Sequence, residues 1–291
     1  MSGGGGRVDK VLADLDPDLS RSLAGRLARA GRVTRDGSML RPSDLVRDGD
    51  RLSYAVPVAA PAPLGAEPIG LDVVYEDADL VVVDKPAGMV VHPAPQHAEG
   101  TLAQALLGIG GTWSTVGGAA RPGIVHRLDK GTSGLILAAR TDAAHRSLAA
   151  QLADRTLSRT YLAVARGEIR SDEMVLEGPV ARHPRDRLRM AVVEGGRAAR
   201  TRCRVVERRG GHTLVQCELE TGRTHQIRVH LSALGHPIAG DALYARARTG
   251  DPDRPMLHAW RLRFRHPRTG RTLQFEADPP ADFSAFWDRL R

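Results

Sequence analysis

Between Ala59 and Pro68 the chain reads Ala-Ala-Pro-Ala-Pro-Leu-Gly-Ala-Glu-Pro, and no other stretch restricts the fold as much. Pro61, Pro63 and Pro68 remove backbone donors and fix φ, so neither a helix nor an inner strand can run through it. Lacking any periodic apolar pattern, it is a semi-extended linker. The 291 residues are therefore expected to form a tail over 1–6, a small domain over 7–58, a linker over 59–69 and a larger domain over 70–291.

The first piece carries helical spacing twice. Val8, Val11, Leu12 and Leu15 predict a short helix. Ser20 can cap a second, with Leu23, Leu27 and Ala30 on one face, and Gly31 ends it. Val33 begins an extended stretch towards the turn Arg35-Asp36-Gly37-Ser38, and Asp48-Gly49-Asp50 turns into a strand over 51–56. A unit this small buries little core. Its charge is about +2, from ten Lys or Arg against eight Asp or Glu, so charge alone does not reveal its partner.

After residue 69 strand signals dominate. Val73–Tyr75 and Leu80–Asp84 are strands around the turn 76–79, with others at Leu135–Ala138, Tyr161–Ala165 and Leu214–Leu219. Asp142 is expected to cap a helix through Leu148 and Leu152, and Asp282 a last helix with Phe286, Trp287 and Leu290. Hairpin-type neighbours with interspersed helices predict an α+β fold built on a mixed, mainly antiparallel sheet, with a small N-terminal α/β domain.

Charge and cysteine usage narrow the setting. The net charge is +8, and its distribution says more. Residues 182–209 hold ten arginines against Asp186, Glu194 and Glu207, and residues 246–271 hold eight against Asp251 and Asp253. Such belts fit a surface for phosphates. Only three lysines occur, with abundant alanine, a pattern that a GC-rich genome also produces, so the choice of Arg over Lys carries no weight. Cys203 and Cys217 sit on two strands of a hairpin; simple counting puts them on different faces, as reduced core thiols. No 18-residue apolar run and no signal-type N-terminus occur, so a cytoplasmic protein away from membranes is expected.

The chemistry concentrates in His126-Arg127-Leu128-Asp129-Lys130-Gly131-Thr132-Ser133-Gly134. Asp129 lies between two cations, which favours the ionised form and suits a nucleophile. Three further blocks accompany it: Val82-Val83-Asp84-Lys85-Pro86-Ala87-Gly88 through His92-Pro93, Arg159-Thr160-Tyr161-Leu162-Ala163, and Thr221-Gly222-Arg223-Thr224-His225-Gln226-Ile227-Arg228-Val229-His230-Leu231, the last followed by Gly235–Asp241. Together, in this order, they resemble the signature of the RluA-type RNA pseudouridine synthases, and most nearly the RluD branch, which acts on a stem-loop of large-subunit ribosomal RNA. The N-terminal unit resembles the small RNA-binding domain first seen in a protein of the small ribosomal subunit.

The resemblance implies roles. Asp129 matches the catalytic aspartate, acting as nucleophile or removing a ribose proton. Tyr161 matches the active-site tyrosine, stacking on uracil and serving as base for the C5 proton. Spacing leaves open whether Arg223 or Arg228 reaches Asp129; the family match favours Arg228, with Ile227 and Val229 on the opposite face of a strand. Because a paired uridine hides its reactive atoms, the nucleotide must be flipped out. Arg127 is then expected to fill the vacated space and Lys130 to contact phosphate, with Arg21, Arg32 and Arg223 as further RNA contacts. Breaking the N1–C1′ bond, rotating the base and joining C5 to C1′ requires no cofactor and no metal. The expected partner is structured RNA, large-subunit ribosomal RNA or a pre-ribosomal particle, met by a monomer. Synthase activity on transfer RNA, or a catalytically silent RNA-binding assembly factor on the same fold, stay open as alternatives.

His225 and His230 are an odd number apart, which on a strand puts them on opposite faces and speaks against a shared metal. Gly108–Gly111 lacks the helix and acidic partner of a dinucleotide fingerprint. Tyr244-Ala245 stands where the family has Tyr-Gly.

Overall fold

A computed structural model describes residues 5–16, 19–56, 64–94, 97–118 and 120–291. The first part of the expected linker, residues 59–63, the last two residues of the expected small domain, 57–58, and the start of the expected tail lie outside the described residues. The chain divides into two compact units, residues 1–62 and 63–291.

The first unit runs β1 (Gly6–Arg7), α1 (Val8–Leu15), α2 (Arg21–Arg29), β2 (Val33–Arg35), β3 (Ser38–Met39), β4 (Leu45–Val46) and β5 (Leu52–Tyr54). Ser20 caps α2 by accepting the Leu23 N–H at 3.2 Å, satisfying one of the donors a helix start leaves open. Strands β3, β2 and β5 form a small sheet, and β1 pairs with β4. Asp36 and Gly37 both adopt positive φ, the geometry of a tight hairpin turn between β2 and β3. Val8, Leu12, Leu19, Ala24, Leu27, Val33 and Val46 make one small core.

The second unit contains β6 (Asp72–Glu76), β7 (Leu80–Lys85), α3 (Leu102–Ile109), β8 (Ser133–Ala139), α4 (Asp142–Ala153), β9 (Ser158–Arg166), β10 (Glu173–Glu177), β11 (Val180–Arg182), β12 (Met190–Val192), β13 (Arg200–Arg209), β14 (His212–Leu219), α5 (Gln226–Ala233), β15 (Leu257–Arg265), β16 (Thr272–Glu276) and α6 (Ala281–Asp288). Nine strands form one sheet in the order β10-β13-β14-β9-β15-β8-β7-β6, with β16 paired to β15. Every pairing is antiparallel except β15 with β8. The fold is α+β, with a mixed, mainly antiparallel sheet. Two apolar clusters cover its faces. One gathers α3, α6 and the β9 and β14 side chains around Val83, Leu106, Val164, Val215 and Phe286. The other packs α4 through Ala144 and Leu148 on Leu80, Leu137, Leu262 and Phe264.

Several sequence expectations need correction. Thr221–Leu231 is not a strand: Gln226–Ala233 is helix α5, so Arg228, Ile227 and Val229 follow helical and not alternating geometry. All of residues 226–231 are buried, so no polar face marks the helix. Helix α3 went unpredicted for the same reason, although Thr101 and Gln104 form a reciprocal capping box. Thr141, not Asp142, caps α4; the Asp142 carboxylate instead accepts from Ser114 and the Thr115 N–H. Pro280, not Asp282, occupies the cap of α6, and Asp282 pairs with Arg254 at 2.6 Å. Cys203 and Cys217 are direct cross-strand partners with sulfurs 3.6 Å apart. An irregularity between Val205 and Glu207 shifts the register by one residue, which simple hairpin counting cannot see. Both thiols are free and buried.

The arginine belts are partly consumed by the sheet. Arg200 pairs with Glu177 and Glu220, Arg202 with Glu220, Arg208 with Asp172 and Arg209 with Glu207. In the second belt, Arg254, Arg261 and Arg268 pair with Asp282, Glu276 and Asp79. Among the described residues no helix is long and apolar enough to cross a membrane.

Candidate active site

Two glycines pin the loop that carries Asp129. At Gly123, φ is +65° and a Cβ would lie 2.1 Å from the Ala139 carbonyl oxygen; at Gly134, φ is +111° and a Cβ would lie 2.3 Å from that of Ala259. Only glycine allows backbones so close in this conformation. Between them the Asp129 carbonyl accepts the Thr132 N–H at 3.0 Å, and the Lys130 carbonyl accepts the Gly88 N–H at 2.7 Å. The carboxylate is thereby aimed into a cavity of about 370 Å³, within the size range of small-ligand sites.

Helix α5 brings Arg228 to this carboxylate. Its Nη1 donates to Asp129 Oδ2 at 3.1 Å, while Nε and Nη2 donate to both oxygens of Asp241 at 2.7 and 2.8 Å. The side chain of Asp241 has no solvent exposure and that of Arg228 has 9%. Burial pulls the Arg228 guanidinium down, but the hydrogen bonds and charge of Asp241, with Asp129, outweigh it and push it up. A fork held on two prongs leaves one N–H to orient the Asp129 carboxylate. The open choice between Arg223 and Arg228 is thus settled by geometry: Arg223 lines the cavity but donates its Nε to the Ala198 carbonyl.

The other Asp129 oxygen faces His225. Nε2 of His225 is 3.9 Å from Oδ1, too long for a hydrogen bond. His225 sits in the left-handed region, φ 57°, at the start of α5. Its Nδ1 is 2.9 Å from the Tyr244 hydroxyl, which already accepts the Met190 N–H at 2.8 Å. When the hydroxyl donates its one proton to Nδ1, the neutral ring carries its own proton on Nε2, facing Asp129. Burial pulls His225 below the usual histidine range, partly offset by Asp129. Tyr244 also lies under the guanidinium groups of Arg228 and Arg189.

Tyr161, on β9, is buried and lines the same cavity. Burial pushes its phenol up, with Arg159 opposing, so the ring meets the cavity as a neutral O–H. Arg127 is exposed at the cavity wall. Lys130 is exposed, with Nζ 3.2 Å from His97 Nε2, and is not among the cavity-lining residues. In the first unit Arg21 pairs with Asp9 at 3.2 Å, and Arg32 is exposed just after α2.

Sequence reasoning passed over several groups. Lys85 has no solvent exposure; its ammonium donates to the carbonyls of Pro86 and Met89 at 2.8 and 3.0 Å. Burial pulls it down to about 8, with Asp129 opposing. The Asp84-Lys85-Pro86 turn is the sequence signal for it. Asp241 ends the Gly235–Asp241 stretch, where spacing gives it no role, and the spacing of His225 from His230 speaks only to a metal. His225 and His230 share no site, since His230 Nδ1 bonds the Thr201 hydroxyl at 3.0 Å. Asp77, Asp79 and His266 cluster elsewhere, but Tyr75, Arg268, two backbone N–H groups and His266 itself already occupy their oxygens.

The site is thus a cavity on a mainly antiparallel sheet, with a carboxylate held by a twice-anchored arginine and a buried tyrosine in the same lining. The sequence profile of RNA pseudouridylate synthases matches residues 79–233, and that of the S4 domain residues 6–52. The Bacillus subtilis (strain 168) protein described as an uncharacterized RNA pseudouridine synthase, YlyB, is 44% identical over 285 residues, 98% of this chain and 94% of its own. The ribosomal large subunit pseudouridine synthase D of Neisseria meningitidis serogroup A is 44% identical over 300 residues, covering 99% of this chain and 79% of its own. Among solved structures, human RNA pseudouridylate synthase domain containing 1 superposes with a TM-score of 0.60 at 28% identity, over 72% of this chain and 84% of its own. The chain belongs to the RNA pseudouridylate synthase family. It is an isomerase acting on RNA, with an S4 RNA-binding domain at its N-terminal end.

Proposed function

We propose that the chain converts specific uridines of large-subunit ribosomal RNA to pseudouridine, with Asp129 as the catalytic carboxylate. The observation that carries this reading is the Asp241–Arg228–Asp129 line, which fixes the one carboxylate of a cavity whose lining also includes five arginines and the buried Tyr161. Support for the ribosomal substrate comes from relatives named ribosomal large subunit pseudouridine synthase D, which match across both units.

The reaction breaks N1–C1′, turns the uracil, joins C5 to C1′, and moves a proton from C5 to the freed N1. Asp129 traps or deprotonates the sugar while the base turns, and a preset carboxylate shortens the search for that geometry. Tyr161 offers its ring to the uracil. As a neutral phenol its hydroxyl takes the C5 proton only while passing on its own. Arg127 takes the place of the extruded nucleotide, and Lys130, Arg223, Arg21 and Arg32 contact the RNA backbone.

Carbodiimide primer extension on RNA from a strain lacking the gene tests the substrate. At least one pseudouridine stop in large-subunit RNA should vanish and return with the wild-type gene. A stop lost only from transfer RNA, or from no RNA, refutes the ribosomal reading.

A further inference from the structure

The cavity that holds Asp129 contains charge the chemistry above does not use. Five arginines line it, Arg121, Arg127, Arg159, Arg223 and Arg228, against the single carboxylate Asp129. Arg228 has both its acids. Arg159, two residues before Tyr161 and so on the same face of β9, has none. Its guanidinium makes no hydrogen bond or ion pair with any described residue, and its Nε is shielded from solvent without a partner. A bare Cα closes over it: a Cβ on Gly222 would lie 2.7 Å from Nη1.

His126 adds a second orphan donor. Its Nε2 stands 3.1 Å from the Leu137 N–H and accepts it, so the neutral ring carries its proton on Nδ1. That Nδ1 is also buried and unpartnered. Burial first, then the neighbouring Arg159, hold the ring down at about 3, so it stays neutral beside the guanidinium. The Thr132 hydroxyl in the same cavity is buried and unpartnered too.

Shielded donors without acceptors are costly, and a half-buried cation without a counter-charge adds to that cost, unless a ligand completes them. The completing ligand must bring negative charge, since the neighbouring donors already exceed the acceptors. A uracil carbonyl is neutral; an RNA phosphodiester is not. We propose that Arg159, with the Nδ1–H of His126, forms a phosphate site inside the catalytic cavity that takes a backbone phosphate next to the flipped-out uridine. Arg159 thereby anchors the nucleotide whose sugar faces Asp129, and does no proton chemistry itself. This rests on reading the cavity as the site of isomerisation.

The test uses the full chain and a stem-loop transcript spanning whichever uridine the mapping above identifies, ribosomal or not. A wrong ribosomal assignment therefore leaves this experiment intact. Affinity is measured against KCl concentration. Arg159→Met should flatten the slope of log K against log salt by about 0.7 to 0.9, the contribution of one phosphate contact, and weaken binding about tenfold. Arg159→Lys should restore the slope and only part of the affinity, having the charge without the fork. A neutral methylphosphonate at the phosphate on either side of the target uridine should, at one of the two positions, weaken wild-type binding as much as Arg159→Met does, and add nothing to that variant. An unchanged salt slope in Arg159→Met overturns the proposal. Should that variant fail to fold, the methylphosphonates on the wild-type protein decide, and no loss at either position overturns it.

Discussion

Replacing Asp241 by Asn and Asp129 by Asn removes one carboxylate from opposite ends of the same guanidinium, yet the two changes should differ sharply in stability. Asp241 is the fully buried end, accepting from Nε and Nη2 of Arg228 at 2.7 and 2.8 Å. An Asn there presents its NH₂ to one guanidinium N–H and leaves the positive charge balanced only by the more distant Asp129. Breaking a buried pair from one side costs about 3 to 5 kcal/mol, which for the 63–291 unit lowers the melting midpoint by on the order of 10 °C. Asp129 holds only one N–H, at 3.1 Å, and is 17% exposed. Arg228 keeps both Asp241 bonds when Asp129 becomes Asn, so that change should cost no more than about 1 kcal/mol. Urea unfolding followed by circular dichroism, extrapolated linearly to water, measures both. Equal losses, or an Asp241→Asn protein within about 1 kcal/mol of wild type, would refute the reading that Asp241 is the anchor and Asp129 the working end.

Other consequences can be checked separately. Lys85 has a folded value lowered from 10.5 to about 8, so the unfolded chain binds the extra proton between those values. Stability should therefore rise from pH 8 to 10.5, by about 3 kcal/mol, relative to Lys85→Met, which lacks this rise; parallel pH–stability curves for the two proteins contradict it. Tyr161→Phe keeps the ring and loses the hydroxyl, so isomerisation should fall about 100-fold or more in single turnover while RNA affinity holds within a few-fold. Tyr244→Phe removes the proton that keeps His225 in its Nε2–H form; long-range ¹⁵N–¹H correlation of the histidine rings should then show His225 shift towards Nδ1–H, and an unchanged tautomer would contradict the Tyr244 assignment. Cys203 and Cys217 are both buried, and the Cys203 hydrogen bond followed by burial pushes the Cys217 thiol up, so a disulfide reagent should modify neither until urea unfolds the chain.

How much of this was legible in the sequence depended on whether the cue was local. Helix α2 was readable because Ser20, its apolar face and Gly31 are local cues that tertiary packing left in place. Strands β7 and β8 were readable as continuous apolar runs between turns. Helix α5 was not: Ile227, Val229 and Leu231 alternate with Arg228 and His230, a period-two pattern. What makes it helical is tertiary: Gln226 bonds the Thr221 hydroxyl, the Arg200 carbonyl and Thr201. The site divides the same way. The Asp129 loop announced itself by composition, and the pairing with Arg228 followed a family resemblance that the geometry matches. The partners of Arg228 and His225 were invisible, because Asp241 and Tyr244 meet them only across loops that spacing cannot fold. Arg159 hid for a different reason: a side chain becomes conspicuous by lacking a counter-charge only once its neighbours are known.

The central claim is that the Asp129 carboxylate performs the isomerisation. RNA carrying tritium at C5 of uridine releases that tritium to water when C5 joins C1′, so release in a single turnover reads the reaction directly. Asp129→Asn should release none above background while binding the same RNA within a few-fold of wild type. Release by that variant at a rate near wild type would contradict the account.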